Sequence, residues 1–384
     1  MSKVPINENV LAWAVERSGK PLEVLEGKFP RIRRWERGTD GPTMNQLNEL
    51  AKATYTPLGY FFLPAPPDER LPIPLFRTAT DERIVRPSPN LLETIQIMQR
   101  RQAWMREFLF DQGEERLAFV RSARIGDNPA NVASHMRRAL GLSQGWAGAY
   151  STWTEALRNL EAAAEGAGIL VTVNGVVGNN THRKLDSAEF RGFVMVDDYA
   201  PLMFINGADS RAAQMFTLAH ELAHVWFGSS AAFDLRDLQA ASDRTEQACN
   251  DVAAEFLVPE AELRRSWGAL RRDREPFQAA ARQFKVSALV AARRALDLDL
   301  MSRNQFLNFY VAYQEDERRR ATRKPEGGDF YANQNLRIGR RLATAVVGAA
   351  LEGRLLYREA YHLTGLYGKT FASYAKSLGF GGSE

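Results

Sequence analysis

His220, Glu221 and His224 stand together in His220-Glu221-Leu222-Ala223-His224, inside the run FTLAHELAHVWFG. On a helix, residues four apart lie one turn above each other on the same face. Both imidazoles can therefore aim a ring nitrogen at one metal ion, and nitrogen ligands joined by a carboxylate favour zinc. Glu221 lies about 100° further round the helix, where it can stand beside the metal without ligating it. A carboxylate so placed can take a proton from a metal-activated water and return it to a leaving amine. The alternative is a pair of packed histidines on an amphipathic helix, because Phe216, Leu218, Leu222, Val225 and Trp226 give the segment an apolar side.

Such a centre needs a third protein ligand. The chain has five histidines, and the remaining three are His135, His182 and His362, so a carboxylate is expected. Glu246 stands 22 residues after His224 and opens EQACNDVAAEFLVP. Asp243, Asp251 and Glu255 compete with it for the role. Ala248, Cys249, Val252, Ala253, Phe256 and Leu257 make this segment an amphipathic helix, with Cys249 read as a small buried residue. Asn250, one turn beyond Glu246, can orient a ligating histidine.

The elements that must hold these residues follow from the pattern around them. Helices are expected over Trp153–Ala167, Ala212–Phe227 and Thr245–Leu257, the last stopping at Pro259. Ile169–Val173, Phe190–Val196 and Pro201–Ile205 are rich in Val, Ile, Phe and Met and read as three short strands of one sheet. A substrate chain could add to the sheet edge near Phe190–Val196. Tyr199, Arg211 and His182 flank the region, and surface roles are expected for each.

FTLAHELAHVWFG followed by E-x-x-C-N-x-x-A-A-E-F-L-V-P resembles the ImmA/IrrE metallopeptidases, whose pattern is HExxH followed by E-x-x-A-N-x-F-A-A-x-L-L-x-P. FRGFVMVDDYAPLMFINGADS is similar to the strand pair that precedes the zinc helix in that family. The resemblance covers roughly Leu157–Pro259. It implies a gluzincin-like site with His220, His224 and Glu246 as ligands of one Zn2+ and Glu221 as general base. The departures, Cys249 for Ala and Val252 for Phe, touch none of these residues. The family's usual activity implies a DNA-binding repressor as substrate.

Short helices are expected over Glu8–Ser18, Leu22–Glu26, Arg31–Arg37 and Met44–Thr54, separated by Gly and Pro. The basic segment KFPRIRRWER places Arg31, Arg33 and Arg34 as candidate phosphate contacts. This region resembles the helix-turn-helix module often fused before such peptidases. Between Leu25 and Trp35, however, stand nine residues, fewer than a second helix, turn and recognition helix normally occupy. Pro30 falls where the recognition helix should begin, and Trp13, Ile32 and Trp35 read as core. DNA contact is therefore weighed against a protein-docking or structural role.

Leu63–Pro74 carries five prolines in twelve residues and reads as a stiff connector, followed by a long helix over Pro89–Phe110. The expected architecture is α+β. A zincin-like (gluzincin) metallopeptidase domain with a small three-stranded sheet and the HExxH helix occupies residues 121–300. It follows an all-α helix-turn-helix-like domain at 1–62 and a connector with its helix at 63–120. An α-helical C-terminal segment at 301–384 ends the chain; it contains Arg337, Arg340 and Arg341, and the charge run Glu315–Lys324 reads as a solvated face or linker.

Over 384 residues with one cysteine and a net charge of +4, a disulfide scaffold and a Cys-only metal cluster are excluded. The longest uncharged apolar run, Leu342 to Leu351, is about half a membrane span. The expectation is a cytoplasmic zinc endopeptidase, with no membrane partner, that cleaves a repressor or antitoxin-like protein in a stress- or mobile-element-linked circuit. The competing reading is a DNA-binding regulator whose peptidase fold is an interaction surface without turnover. An intact set of His220, Glu221, His224 and Glu246 favours the enzyme.

Overall fold

A computed structural model of the chain describes residues 3–69, 75–76, 87–233, 244–315 and 330–380. The chain divides into two compact units, residues 1–72 with 81–96, and residues 73–80 with 97–384.

The first unit holds α1 (Glu8–Arg17), α2 (Leu22–Lys28), α3 (Ile32–Glu36) and α4 (Met44–Thr54). Asn7 caps α1, and α4 opens on a reciprocal capping box between Thr43 and Gln46. Leu11, Ile32, Trp35, Leu47 and Phe61 are fully buried and form its core, with Trp13 beside them. Arg17 makes a bidentate pair with Glu69 at 2.6 and 2.8 Å, which ties the described part of the proline-rich connector to α1. The rest of that connector, residues 70–74, lies outside the described residues, as do most of the charge run at Glu315–Lys324 and Asp243.

The second unit is built on a five-stranded sheet. Its strands are β1 (Leu75–Phe76), β2 (Leu170–Asn174), β5 (Gly192–Met195), β6 (Leu202–Asn206) and β7 (Ala231–Phe233), in the order β1-β7-β5-β6-β2. A separate hairpin joins β3 (Val176–Val177) to β4 (Asn180–Lys184). The three expected strands are present and adjacent, with β2 parallel and β5 antiparallel to β6. The sheet exceeds three strands because β7 and β1 add to it; each is too short to show an alternating pattern in the sequence. This overturns the expected open edge at Phe190–Val196, since β5 is paired on one side with β6 and on the other with β7.

Each face of the sheet buries a different set of side chains. Phe193 and Phe204 are direct cross-strand partners whose rings stack at 5.0 Å, with Phe190 against both. Val171, Val173, Val194, Met203 and Ile205 join the core that contains α8 (Arg211–Phe227). From Gln214 to Trp226 every residue of α8 is buried, the pattern of a helix enclosed on all sides. Ser210 caps its start, and Gly228, at φ 76°, ends it in the left-handed conformation.

α6 (Pro129–Ala139), α7 (Trp153–Gly166) and α9 (Arg244–Leu257) enclose α8. Arg137 of α6 donates to the carbonyls of Glu255 and Phe256 at the end of α9, at 3.1 and 3.2 Å. α5 (Pro89–Asp111), from Ile97 onward, belongs to this unit. After α9 the chain is helical, with α10 (Glu260–Leu270), α11 (Pro276–Phe284), α12 (Ala288–Asp297), α13 (Arg303–Glu315), α14 (Phe330–Ile338), α15 (Arg340–Leu351), α16 (Tyr357–Thr364) and α17 (Gly368–Ser377). No helix among the described residues is long and apolar enough to cross a membrane.

The corner between α14 and α15 closes on β2. Thr172 donates its hydroxyl to the Ile338 carbonyl at 3.4 Å. Gly339, at φ 87°, sits so close that a Cβ there would lie 2.6 Å from the Val171 carbonyl oxygen. Gly339→Ala is expected to destabilise this unit by about 1–3 kcal/mol through backbone strain and overpacking. Denaturant unfolding measures it; a change within about 0.5 kcal/mol, the size of an ordinary surface substitution, would show that the corner relaxes freely.

Candidate metal centre

α8 and α9 carry the site between them. His220 and His224 share one face of α8, and Glu246 on the first turn of α9 reaches them from the side. The two Nε2 atoms stand 3.0 Å apart. Glu246 Oε2 is 3.2 Å from His220 Nε2, and Oε1 is 3.1 Å from His224 Nε2. One ligand atom from each residue lies within 4.8 Å of the others, a cluster able to hold a metal ion, and all three residues are buried.

The protonation states suit that role. Burial pushes the His220 imidazole down to about 4, outweighing its favourable contacts with Glu246 and Asn250, so the ring is neutral at neutral pH. Burial acts to raise the Glu246 carboxyl, but its hydrogen bonds with His220 and His224 dominate and hold it down at about 2. A neutral imidazole beside an ionised carboxylate is the form that ligates a metal. His224 Nδ1 lies 2.8 Å from Ser229 Oγ, and a proton shared there leaves Nε2 free as the ligating atom. Asn250, one turn after Glu246, hydrogen-bonds His220 and favours its charged form.

Glu221 differs from its neighbours. It is fully buried, and neither carboxylate oxygen has a hydrogen-bond partner among the described residues. Burial first, and then the Glu246 charge, push its carboxyl well above the usual carboxylate range. A bare buried carboxylate beside a His, His, Glu cluster is an unfinished arrangement. A cation held by the cluster would compensate that carboxylate, so the residues present fit a metal.

Of the competing third ligands, the two among the described residues lie elsewhere. Asp251 is exposed on the outer side of α9. Glu255 pairs with Arg294 and accepts the backbone N–H of Glu260 at 3.1 Å. His135 accepts the indole N–H of Trp226 at 3.1 Å, while His182 on β4 and His362 on α16 are exposed. Tyr199 bonds Arg116, and Arg211 bonds Gln214, neither through the cluster.

In the first unit, α3 is five residues long, with Arg31 just before it and Arg33 and Arg34 within it. Arg31 is 3.6 Å from Asp40, and Arg33 is 2.9 Å from Glu26; Arg34 is exposed. A helix of this length spans little more than one turn.

Two contributors escaped the sequence reading. Ser229 follows the helix-ending Gly228, where the chain turns back toward His224. Gly192 on β5 lets the sheet approach α8: a Cβ there would stand 2.6 Å from Thr217 Cγ2, 2.9 Å from the Phe204 carbonyl oxygen and 3.1 Å from Glu221 Oε1. A glycine inside a strand of large apolar residues is the available signal, since it marks close approach.

Residues 164–296 match the family model of the IrrE N-terminal-like domain, Peptidase_M78, a segment that includes all four residues of the HExxH and Glu246 set. The match gives this part of the chain a metallopeptidase-like character and supports the ImmA/IrrE resemblance. Residues 338–377 match a domain of unknown function, DUF8813. No curated protein and no solved structure matches the chain.

Gly192→Ala should push against Glu221 and Thr217 and destabilise the protein by about 1–3 kcal/mol, with His220, His224 and Glu246 still able to retain metal. Urea unfolding alongside elemental analysis checks both. Wild-type stability in this variant would mean that the strand does not press on Glu221.

Proposed function

We propose that this protein is a zinc-dependent endopeptidase in which His220, His224 and Glu246 hold the metal and Glu221 is the general base. The observation that supports it above the rest is the convergence of three ligating side chains beside a fully buried, unpartnered glutamate. Two histidines and a glutamate leave a fourth position open, as catalysis needs and a structural zinc site does not. A zinc ion held there would supply Lewis acidity to the scissile carbonyl and acidify the attacking water.

The chain's own residues do the rest. Glu221 accepts a proton as the water oxygen bonds to the carbonyl carbon, and returns it to the amide nitrogen as the C–N bond breaks. The acid and amine so formed exchange the second water proton to leave as a carboxylate and an ammonium, and Glu221 ends as it began. Burial raises its carboxyl, and a metal cation held beside it would lower it again toward the carboxylate form that takes up the proton. Ser229 and Asn250 keep the two imidazoles oriented.

The proposed substrate is a DNA-binding repressor or antitoxin-like regulator, a choice that rests on the family resemblance. For the first unit, the five-residue α3 and the ion-paired Arg31 and Arg33 favour a docking role over groove reading. The competing reading, an interaction surface without turnover, gives no account of a buried Glu221 poised beside an intact ligand set.

Elemental analysis of purified protein should find about one zinc per chain, as a three-ligand mononuclear site requires, and none in His220→Ala. Glu246→Ala should weaken metal retention about tenfold or more. Glu221→Gln should keep its metal yet lose at least about a hundredfold in cleavage of helix-turn-helix repressors followed by mass spectrometry. Full cleavage by Glu221→Gln would remove the base, and a folded protein without metal would remove the enzyme.

A further inference from the structure

A cleft of about 280 Å³ opens between α7, β2 and the α14–α15 corner. One wall is a stripe of α7 carrying Arg158, Glu161 and Glu165, which repeat at helical spacing along one side. Val171 and Val173, two apart on β2, form an apolar floor, and Leu336 and Arg340 stand opposite. Helices that simply pack over a sheet would meet here through apolar side chains.

Glu161 is the feature the fold does not explain. It is 7% exposed, yet it makes no hydrogen bond and no ion pair among the described residues. Glu165, one turn along, is accounted for: its Oε1 accepts the backbone N–H of Arg341 at 3.0 Å and caps α15, which has no side-chain cap at Gly339. Burial pushes the Glu161 carboxyl up to about 7, against the attraction of Arg211 and Arg158. Asn335 is also engaged, accepting the Tyr374 hydroxyl at 2.8 Å. At the mouth, Arg158 and Arg340 are exposed and in no ion pair among the described residues.

We infer that this cleft binds a small zwitterion of the α-amino-acid class with an apolar side chain. Its ammonium group bonds the Glu161 carboxylate, its carboxylate meets Arg158 and Arg340, and its side chain lies on Val171, Val173 and Leu336. A buried carboxylate without a partner calls for a cationic N–H donor. Two guanidinium groups at the mouth disfavour a bare metal cation and select a ligand that also carries a negative end. The volume is at the small end of the range for small-molecule sites, which suits a single amino acid.

The cleft straddles the two matched segments, since Glu165, Val171 and Val173 fall within 164–296 and Arg340 within 338–377, while Glu161 lies just before the first. It stands apart from the metal centre, and the inference does not rest on the peptidase reading. The opposite side of α7, through Leu157, Leu160 and Ala164, belongs to the same core as α8, so an occupant bears on an element that touches the HExxH helix.

Thermal unfolding of the full chain with L-leucine, L-methionine or L-phenylalanine tests this without metal or substrate. At about 10 mM, roughly a hundredfold above a Kd of about 0.1 mM, at least one should raise the midpoint by about 5 °C. Isopentylamine and isocaproate, each lacking one charged end, should not. Calorimetry should show binding at least about tenfold weaker in Glu161→Gln, which keeps the side-chain shape and loses a charge-assisted hydrogen bond. That variant removes an unpaired buried charge, so its midpoint without ligand should equal or exceed the wild type, which separates lost binding from lost folding. No shift with any of the amino acids, or equal binding by Glu161→Gln, overturns the site. Isopentylamine binding as tightly as leucine overturns the role of the arginines and with it the zwitterion.

Discussion

Keeping three ionisable side chains without solvent on a single core helix is the constraint around which the second unit is arranged. His220, Glu221 and His224 have no exposed surface, and their helix is enclosed from Gln214 to Trp226. Polar groups in that position must be partnered or must carry the cost of lost solvation. For the histidines the partners come from neighbouring elements: Glu246 from α9, Ser229 from the turn after Gly228, and Asn250 beside His220. Glu221 has been given none. The three clustered side chains thus touch one another and their neighbours, while both Glu221 oxygens stay without a hydrogen bond among the described residues.

That arrangement explains several local choices at once. α9 must lie close along α8, so its packing face is made of Cys249, Val252, Ala253 and Phe256, two of them small. β5 must approach α8 from the sheet, so the residue facing Thr217 and Glu221 is Gly192. α8 must stop where the chain can fold back onto His224, and Gly228 supplies the left-handed residue for that turn. Cys249 is then a consequence of tight helix packing, since its burial matches a small apolar residue and the cluster forms without it.

How much of this was legible in the sequence depended on the range of the interaction. The HExxH spacing and the amphipathic Arg244–Leu257 segment are local patterns, and they placed both helices to within a residue or two. The choice of Glu246 over Asp251 and Glu255 needed the rotation of α9 about its axis, because all three share a helix and only packing decides which faces inward. β7 and β1 were missed because two- and three-residue strands carry no periodicity; their pairing comes from the finished sheet. The closing of the β5 edge follows from that omission. In the first unit the short spacing between Leu25 and Trp35 did translate into structure: α3 has five residues, with Ile32 and Trp35 turned inward.

Glu161 and Glu221 are both deeply buried carboxylates without hydrogen bonds, and their surroundings separate their roles. Glu221 lies beside two imidazoles and a second carboxylate, a setting that attracts a metal cation and the water it carries. Glu161 has arginines at the mouth of its cleft and valines beneath it, which disfavour a bare cation and suit an organic ammonium that is itself balanced by an anion. α7 carries one of these carboxylates and packs against the helix that carries the other. Each buried carboxyl without a hydrogen bond weakens the folded state, and the core between α7 and α8 is the wall that the two share.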